Sequence, residues 1–298
     1  MPKQRPVKIT DAYAAYRLDG QARRLTALTL RTYTQRVEPF VRWCDDQGVP
    51  YLQDITPTLV RSYLVLLQER ELSSYTVNGI ARAIKAFFNF CVNERMLAES
   101  PMRRVVVPKV DKKIMPSFTE DDVADLLAAC KTEREEAALL VLLDTGVRAS
   151  EFINLNGGDV DMGTGAVLVR QGKGRKDRTV YLGAKTRKQL MRYYAMERGT
   201  PTADEPVWLS INTKDRITDS GLRQLLKRLA SRAGVQNVTP HTFRRTFALW
   251  SLRNGMSIYH LQRLMGHEDL QVLKQYLALV EGDAKAAHQK SSPVDNMK

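Results

Sequence analysis

The chain has 298 residues, of which 46 are Lys or Arg and 33 are Asp or Glu, so its formal net charge is +13. Hydrophobic residues make up 43% and charged residues 27% of the chain. This is the composition of a globular protein, and it excludes a wholly disordered or collagen-like chain. The longest apolar run, residues 137–143, is far shorter than the roughly 20 residues that cross a bilayer.

The cysteines and the N-terminus indicate the compartment. Cys44, Cys91 and Cys130 are widely spaced and form no C-x-x-C pair. Such a set favours reduced thiols and provides no zinc knuckle. Residues 1–16 have no apolar core after their basic residues, so we predict no secretory signal. We therefore expect a cytoplasmic protein without a membrane partner.

The positive charge lies in both halves of the chain. Residues 1–105 carry 16 Lys and Arg against 10 Asp and Glu, and the remaining residues carry 30 against 23. A polyanion that contacts both halves explains this distribution, and nucleic acid is the commonest such partner. The alternative is a basic protein without a polyanionic partner.

Residues 1–105 predict a small helical bundle. The first 20 residues lack clear periodicity and are interpreted as a flexible arm. Apolar residues at helical spacing predict a helix over 26–47, in which Pro39 predicts a kink or a break. A second helix is predicted to begin at Pro57 with Thr56 as its N-cap, and a third to begin near Ser74.

Residues 101–116 contain three prolines and five basic residues. Proline disrupts both helix and sheet, so we predict an extended basic linker, assigned to 106–115. Such a linker suits a phosphate backbone, and it also suits an ordinary solvated hinge. It separates the N-terminal domain, 1–105, from a second domain, 116–298.

The second domain is predicted to be mostly helical with a small sheet. Thr119 and Asp122 resemble a capping box. Residues 166–170 and 179–182 predict a β-hairpin because strand-forming residues flank a glycine-containing turn. Helices are predicted over 119–130, 135–144, 149–155, 184–197, 220–233, 241–253, 257–264 and 269–279.

Four basic clusters and one tyrosine could carry chemistry. They are centred on Arg148 after a glycine turn, Lys173 at the hairpin tip, the pair His241 and Arg244, His267 after Gly266, and Tyr276. Each has an ordinary explanation when considered alone. Arg148 could pair with Glu151, Lys173 could be a solvated charge, His241 and Arg244 could be a structural polar pair, His267 could cap a helix, and Tyr276 could be a core residue.

Together these residues fit phosphoryl transfer. Two arginines on separate helices can bind one phosphodiester through bidentate hydrogen bonds. Lys173 could supply the proton for the leaving oxygen, and Tyr276 could be the nucleophile. Its phenol has a usual pKa of about 10, and nearby guanidinium charges favour the phenolate. The scheme requires no metal or other cofactor.

The segments TGVRASEF, GKGRKDR, PHTFRRTFA and LMGH, followed by Tyr276, resemble the tyrosine recombinase (phage integrase) family, most closely its Xer-like members. The resemblance implies a mainly α protein with a small β-sheet: an N-terminal helical (SAM-like) core-binding domain and an α+β tyrosine-recombinase catalytic domain. It implies that the six catalytic residues are Arg148, Lys173, His241, Arg244, His267 and Tyr276.

The resemblance also implies that Tyr276 forms a 3′-phosphotyrosyl link to DNA, while Lys173 protonates the leaving 5′ oxygen. The family acts on double-stranded DNA as a tetramer on two duplexes, through a Holliday junction, sometimes with a second recombinase or accessory proteins. A C-terminal segment, about 279–292, would contact a neighbouring subunit.

The sequence departs from the family pattern outside these six positions. Arg245 stands where many relatives have histidine, Phe243 replaces a usual leucine, and 271–274 replaces a Thr-Thr pair. We expect Phe243 to remain an apolar anchor. Two other functions remain open: a type IB topoisomerase-like DNA relaxase, and a non-catalytic DNA-binding architectural protein, which would have lost the nucleophile or an arginine.

Overall fold

The computed structural model describes residues 6–110, 116–170, 177–266, 292 and 294–295. The chain divides into two compact units, 1–113 and 114–298, and each unit has its own hydrophobic core. The described residues are mainly helical, and they include one two-stranded sheet. The predicted fold class is therefore confirmed.

The first unit is a helical bundle. The cap predicted at Thr56 is present, because its side chain accepts a hydrogen bond from Leu59 N. The structure adds a second cap, at Ser73, which accepts one from Thr76 N. Its helices are α1 (Ile9–Ala22), α2 (Ala27–Asp46), α3 (Pro57–Glu69) and α4 (Ser74–Asn93), with short 3-10 turns at Leu52–Asp54 and Pro101–Arg104.

The prediction of a flexible arm over the first 20 residues is wrong for its described part, because Ile9–Ala22 form a helix. Residues 1–5 lie outside the described residues. Helix α1 buries Ile9, Ala12, Tyr13 and Tyr16 in the core of the first unit. The ring centroid of Tyr16 lies 5.6 Å from that of Phe87. The helical period was weak in sequence because tyrosine and alanine carry much of the buried stripe.

Helix α2 continues through Pro39, so the predicted break does not occur. Proline removes the hydrogen bond that Gln35 O would otherwise accept within the helix. Both Pro39 and Gln35 are exposed, so water can bind that carbonyl. The exposure of these two residues explains why the helix tolerates the proline.

The segment after α4 is not extended at its start, which corrects the prediction for 101–116. Residues Pro101–Arg104 form a 3-10 turn, and Met102 and Val105 are buried. Farther along, Asn78 Nδ2 donates to Pro108 O at 2.7 Å. Buried apolar side chains and a hydrogen bond from a side chain to a backbone carbonyl therefore hold this stretch against the first unit. Residues 111–115 lie outside the described residues.

The second unit combines helices with an antiparallel hairpin in which Ala166 pairs with Tyr181. The capping box predicted at Thr119 and Asp122 is present. The predicted helix over 269–279 lies outside the described residues. The helices are α5 (Glu120–Ala128), α6 (Glu133–Thr145), α7 (Ala149–Ile153), α8 (Ala184–Tyr193), α9 (Asp219–Ala233), α10 (Pro240–Arg253) and α11 (Ile258–Met265), and the strands are β1 (Ala166–Val169) and β2 (Arg178–Tyr181).

Helix α6 lies at the centre of the second unit and packs against α8 and α10. It ends at Gly146, which has a φ of 57°. A Cβ at this position would overlap the ring of Phe247, so both the backbone conformation and the packing require glycine. The chain then turns through buried Val147 to Arg148, the first residue of the candidate site.

Within the described residues, no helix is long and apolar enough to cross a membrane. Cys44, Cys91 and Cys130 are all free thiols. Burial raises the pKa of each to about 12, so these thiols are protonated and unreactive at neutral pH.

Candidate active site

Arg148 is the N-cap residue of α7. Its backbone N–H donates to Glu151 Oε2 at 2.8 Å, and its Nη1 donates to Glu151 Oε1 at 2.8 Å. Its Nη2 donates to Gly266 O at 3.2 Å. The salt bridge with Glu151 that the sequence suggested as an ordinary explanation is therefore present. This salt bridge engages Nη1 of the guanidinium, and the side chain remains 31% exposed.

Arg244 projects from α10 toward the same place and is only 6% exposed. Its Nη1 donates to Gly146 O at 2.6 Å, and its Nη2 donates to Met265 O at 2.5 Å. The neighbouring Phe243 is fully buried, with its ring 4.9 Å from that of Phe118. The expectation that Phe243 serves as an apolar anchor is therefore confirmed, and it fixes the helix that carries Arg244.

Arg178, the first residue of β2, is a third arginine that the sequence reasoning did not single out. Its Nε donates to Leu264 O at 2.6 Å. Its Nη1 and Nη2 donate to Glu151 Oε1 and Oε2 at 2.9 and 2.7 Å. Both side chains of this ion pair are 8% exposed. The available signal was its position at the end of GKGRKDR, where the loop returns to a strand.

The three arginines meet at the C-terminal end of α11. Leu264 O, Met265 O and Gly266 O accept from Arg178, Arg244 and Arg148 respectively. The last carbonyls of a helix lack partners within the helix and carry partial negative charge. They therefore attract guanidinium groups. This helix end brings together side chains from α7, β2 and α10.

Glu151 is ionised within this cluster. Its burial alone would raise its pKa, but the hydrogen bonds from Arg178 and from the Arg148 backbone lower the pKa to about 2. The carboxylate is therefore ionised at neutral pH, and it accepts hydrogen bonds from both arginines.

His241, the second residue of α10, lies near these charges. Partial burial of the ring lowers its pKa, and so do the charges of Arg245, Arg244, Arg223 and Arg148. The imidazole is therefore predominantly neutral at neutral pH. Its side chain is exposed, so it can meet a ligand that approaches from solvent.

The structure brings together three of the six predicted site residues, Arg148, His241 and Arg244. Lys173, His267 and Tyr276 lie outside the described residues. A compact group of guanidinium groups beside a neutral imidazole is chemically suited to the oxygens of a phosphodiester.

Comparison with known proteins places the chain in a family. Residues 116–282 match the phage integrase family, and residues 20–95 match the phage integrase N-terminal SAM-like domain. The chain is 30% identical over 280 residues to tyrosine recombinase XerC of Bacillus pumilus (strain SAFR-032), and the alignment covers 90% of this chain and 91% of that protein.

Solved structures agree with this result. The crystal structure of XerA recombinase is 26% identical, with a TM-score of 0.54, covering 95% of this chain and 99% of that one. The Tn1549 transposon integrase in complex with a circular intermediate DNA is 18% identical and matches in fold, with a TM-score of 0.78 over the same shares. Since one family match alone spans more than half of the sequence, this chain belongs to the phage integrase family of tyrosine recombinases, enzymes that cleave and rejoin DNA.

Proposed function

We propose that this protein is a site-specific DNA recombinase that cleaves and rejoins strands through a covalent bond between Tyr276 and a 3′ phosphate. The Tyr276 oxygen attacks the phosphorus, and the 5′ oxygen leaves with a proton from Lys173. The phosphotyrosyl bond conserves the phosphodiester energy, so a 5′ hydroxyl can later attack it and restore a DNA strand.

In this proposal Arg148 and Arg244 bind the non-bridging oxygens of the scissile phosphate. His241 and His267 share this charge stabilisation and can hold the proton of the phenol. A cluster of guanidinium groups stabilises charge that develops on the equatorial oxygens. The same positive charge favours the phenolate form of the nucleophile.

One observation carries the proposal. Arg148 and Arg244 are 96 positions apart in the chain, yet they donate to adjacent carbonyls at the end of α11. This helix end immediately precedes His267, and Tyr276 follows nine residues later. Both remaining C-terminal candidates therefore follow the arginine cluster within ten residues of sequence.

The test is capture of a covalent protein–DNA adduct. Binding sites are first selected from random duplexes, and the selected site is then prepared with a nick beside each candidate cleavage position. We expect the wild-type protein to form an adduct that survives denaturation, and Tyr276→Phe to bind the same DNA without forming one. An adduct formed by Tyr276→Phe would exclude Tyr276 as the nucleophile.

The same protein and selected DNA distinguish a recombinase from the two other functions, a DNA relaxase and an architectural DNA-binding protein. Formation of Holliday junctions between two duplexes would support a recombinase. We propose that this recombinase acts in the cytoplasm as a tetramer on two DNA sites. The tetramer would be a homo-tetramer, or it would include a second recombinase and accessory proteins. Relaxation of supercoils without a specific site would instead indicate a topoisomerase-like relaxase. Tight binding without any adduct would indicate an architectural DNA-binding protein.

A further inference from the structure

Arg178 is a buried arginine outside the six proposed catalytic positions. Its Nε, Nη1 and Nη2 are all engaged, with Leu264 O and the two oxygens of Glu151. Because all three of its guanidinium nitrogens donate to protein acceptors, Arg178 is committed to holding Glu151 and Leu264 O. Its role must therefore be exerted through the groups that it holds.

Glu151 transmits the position of Arg178 to Arg148. Glu151 Oε1 accepts from Nη1 of both arginines, and Oε2 accepts from Arg178 Nη2 and from the backbone N–H of Arg148. One carboxylate thus fixes both the start of α7 and the guanidinium plane of Arg148. Arg178 in turn fixes the plane of that carboxylate by a two-point contact.

Arg178 also holds the end of α11. Its Nε bond to Leu264 O lies two residues before the carbonyl of Gly266, which accepts from Arg148 Nη2. Arg148 is therefore located from two sides, by Glu151 and by the last turn of α11. Arg178 contacts both of these supports.

We propose that Arg178 is a positioning residue of the active site, which orients the Arg148 guanidinium through Glu151 and through the C-terminal carbonyls of α11. This inference rests on the proposed function, because the phosphate is what Arg148 would be oriented to bind. Misplacing a catalytic group by about 1 Å can slow a reaction by about 100-fold.

Lysine cannot replace this arginine. A guanidinium presents donors in a planar fork that matches a carboxylate and leaves Nε for a third acceptor, whereas an ammonium is a single point charge. In an Arg178→Lys variant the amine could reach Glu151 or Leu264 O but could not fix the carboxylate plane. The Arg178→Lys variant therefore keeps the positive charge but no longer orients the Glu151 carboxylate.

The test separates DNA affinity from the rate of cleavage. We expect Arg178→Ala and Arg178→Lys to bind the selected site within about threefold of wild type, while adduct formation at saturating DNA slows by about 10- to 100-fold. Arg232→Ala is the matched control, because Arg232 pairs with Glu135 at 2.6 Å in the same unit and not with Glu151 or the carbonyls of α11. It should lower the melting temperature and leave the cleavage rate within about twofold of wild type.

Rescue distinguishes positioning from a loss of folding. Millimolar ethylguanidinium should restore a substantial part of the cleavage rate of Arg178→Ala, and it should not change the rate of the Arg232→Ala control. A cleavage rate in both Arg178 variants equal to that of wild type would overturn the proposal. So would rate losses that simply follow the losses of DNA affinity or of folded protein.

A measurement of the Glu151 pKa tests the positioning role of Arg178 independently of the proposed function. The charges facing Glu151 within the described residues are those of Arg148 on its own helix and Arg178 on β2. Titration by carbon NMR without DNA should show that Arg178→Ala raises the pKa of Glu151 and changes the side-chain resonances of Arg148. If wild type forms no adduct, the proposed function fails. Unchanged Glu151 and Arg148 signals would instead refute the positioning role.

Discussion

Gly146 shows how one residue can control the geometry of the site. It ends α6 with a positive φ, its carbonyl accepts from Arg244, and a Cβ there would overlap Phe247. We expect Gly146→Ala to lower the free energy of unfolding by about 2–4 kcal/mol, because a left-handed backbone cost and an overpacking cost combine. Urea denaturation would measure this loss.

The control for Gly146 is Gly234→Ala. Gly234 ends α9 with a φ of 70° and has nothing within 4 Å of its Cβ position. Gly234→Ala should therefore lower the free energy of unfolding only by the cost of the left-handed backbone, about 1–2 kcal/mol. Equal losses in the two variants would show that the ring of Phe247 moves aside at no cost.

His241 gives a prediction for the effect of pH. Burial and neighbouring arginines lower its pKa, so in the free protein it should titrate below about 6.5 by NMR. Since its folded-state pKa lies below its unfolded value, its contribution to stability is complete above that unfolded value and is lost as pH falls toward the folded pKa. A bound phosphate should raise the pKa. An unchanged pKa in the DNA complex of Tyr276→Phe would place His241 away from the phosphate.

Helix α1 gives a test at the level of a whole element. Tyr16 is buried, and its ring contacts Tyr33, Phe87 and Phe90. We expect Tyr16→Ala to lower the stability of the first unit by about 3 kcal/mol or more. Tyr75→Ala, at a tyrosine that is 71% exposed, should change stability by less than about 0.5 kcal/mol. Similar losses would mean that α1 is not part of the core.

Helix starts were predictable because a cap is a local feature. Thr56 and Thr119 each bind backbone N–H groups within three residues, so the sequence contains the whole interaction. The start of the 101–116 stretch was missed for the opposite reason. Its structure depends on Arg61 and Asn78, which donate to carbonyls 43 and 30 residues away.

At the scale of the whole molecule, the charge of +13 is spread over both units. DNA binding should therefore weaken steeply with salt, because phosphate contacts release condensed counterions. We expect the affinity for the selected site to fall by at least about 100-fold between low and moderate salt. A nearly flat dependence in a binding titration would contradict a phosphate-based interface.

The sequence was enough to identify the candidate catalytic residues, but it was not enough to identify the residues that position them. Arg148, His241 and Arg244 stand in recognisable segments, and the structure brings them together. Arg178 was missed because one of its acceptors is a backbone carbonyl, which any residue can supply. Its other acceptor, Glu151, was recognised only as a partner of Arg148, since pairing across 27 residues depends on the fold.

The last turn of α11 is closed by its own C-cap, Gly266, and is also held by side chains from other parts of the molecule. Three guanidinium groups, from two helices and a strand, bind Leu264 O, Met265 O and Gly266 O. Shortening any one of these side chains would remove one of the three partners that the end of this helix has outside itself. The chain that continues beyond Gly266 thus departs from an anchor point that three distant stretches of sequence define jointly.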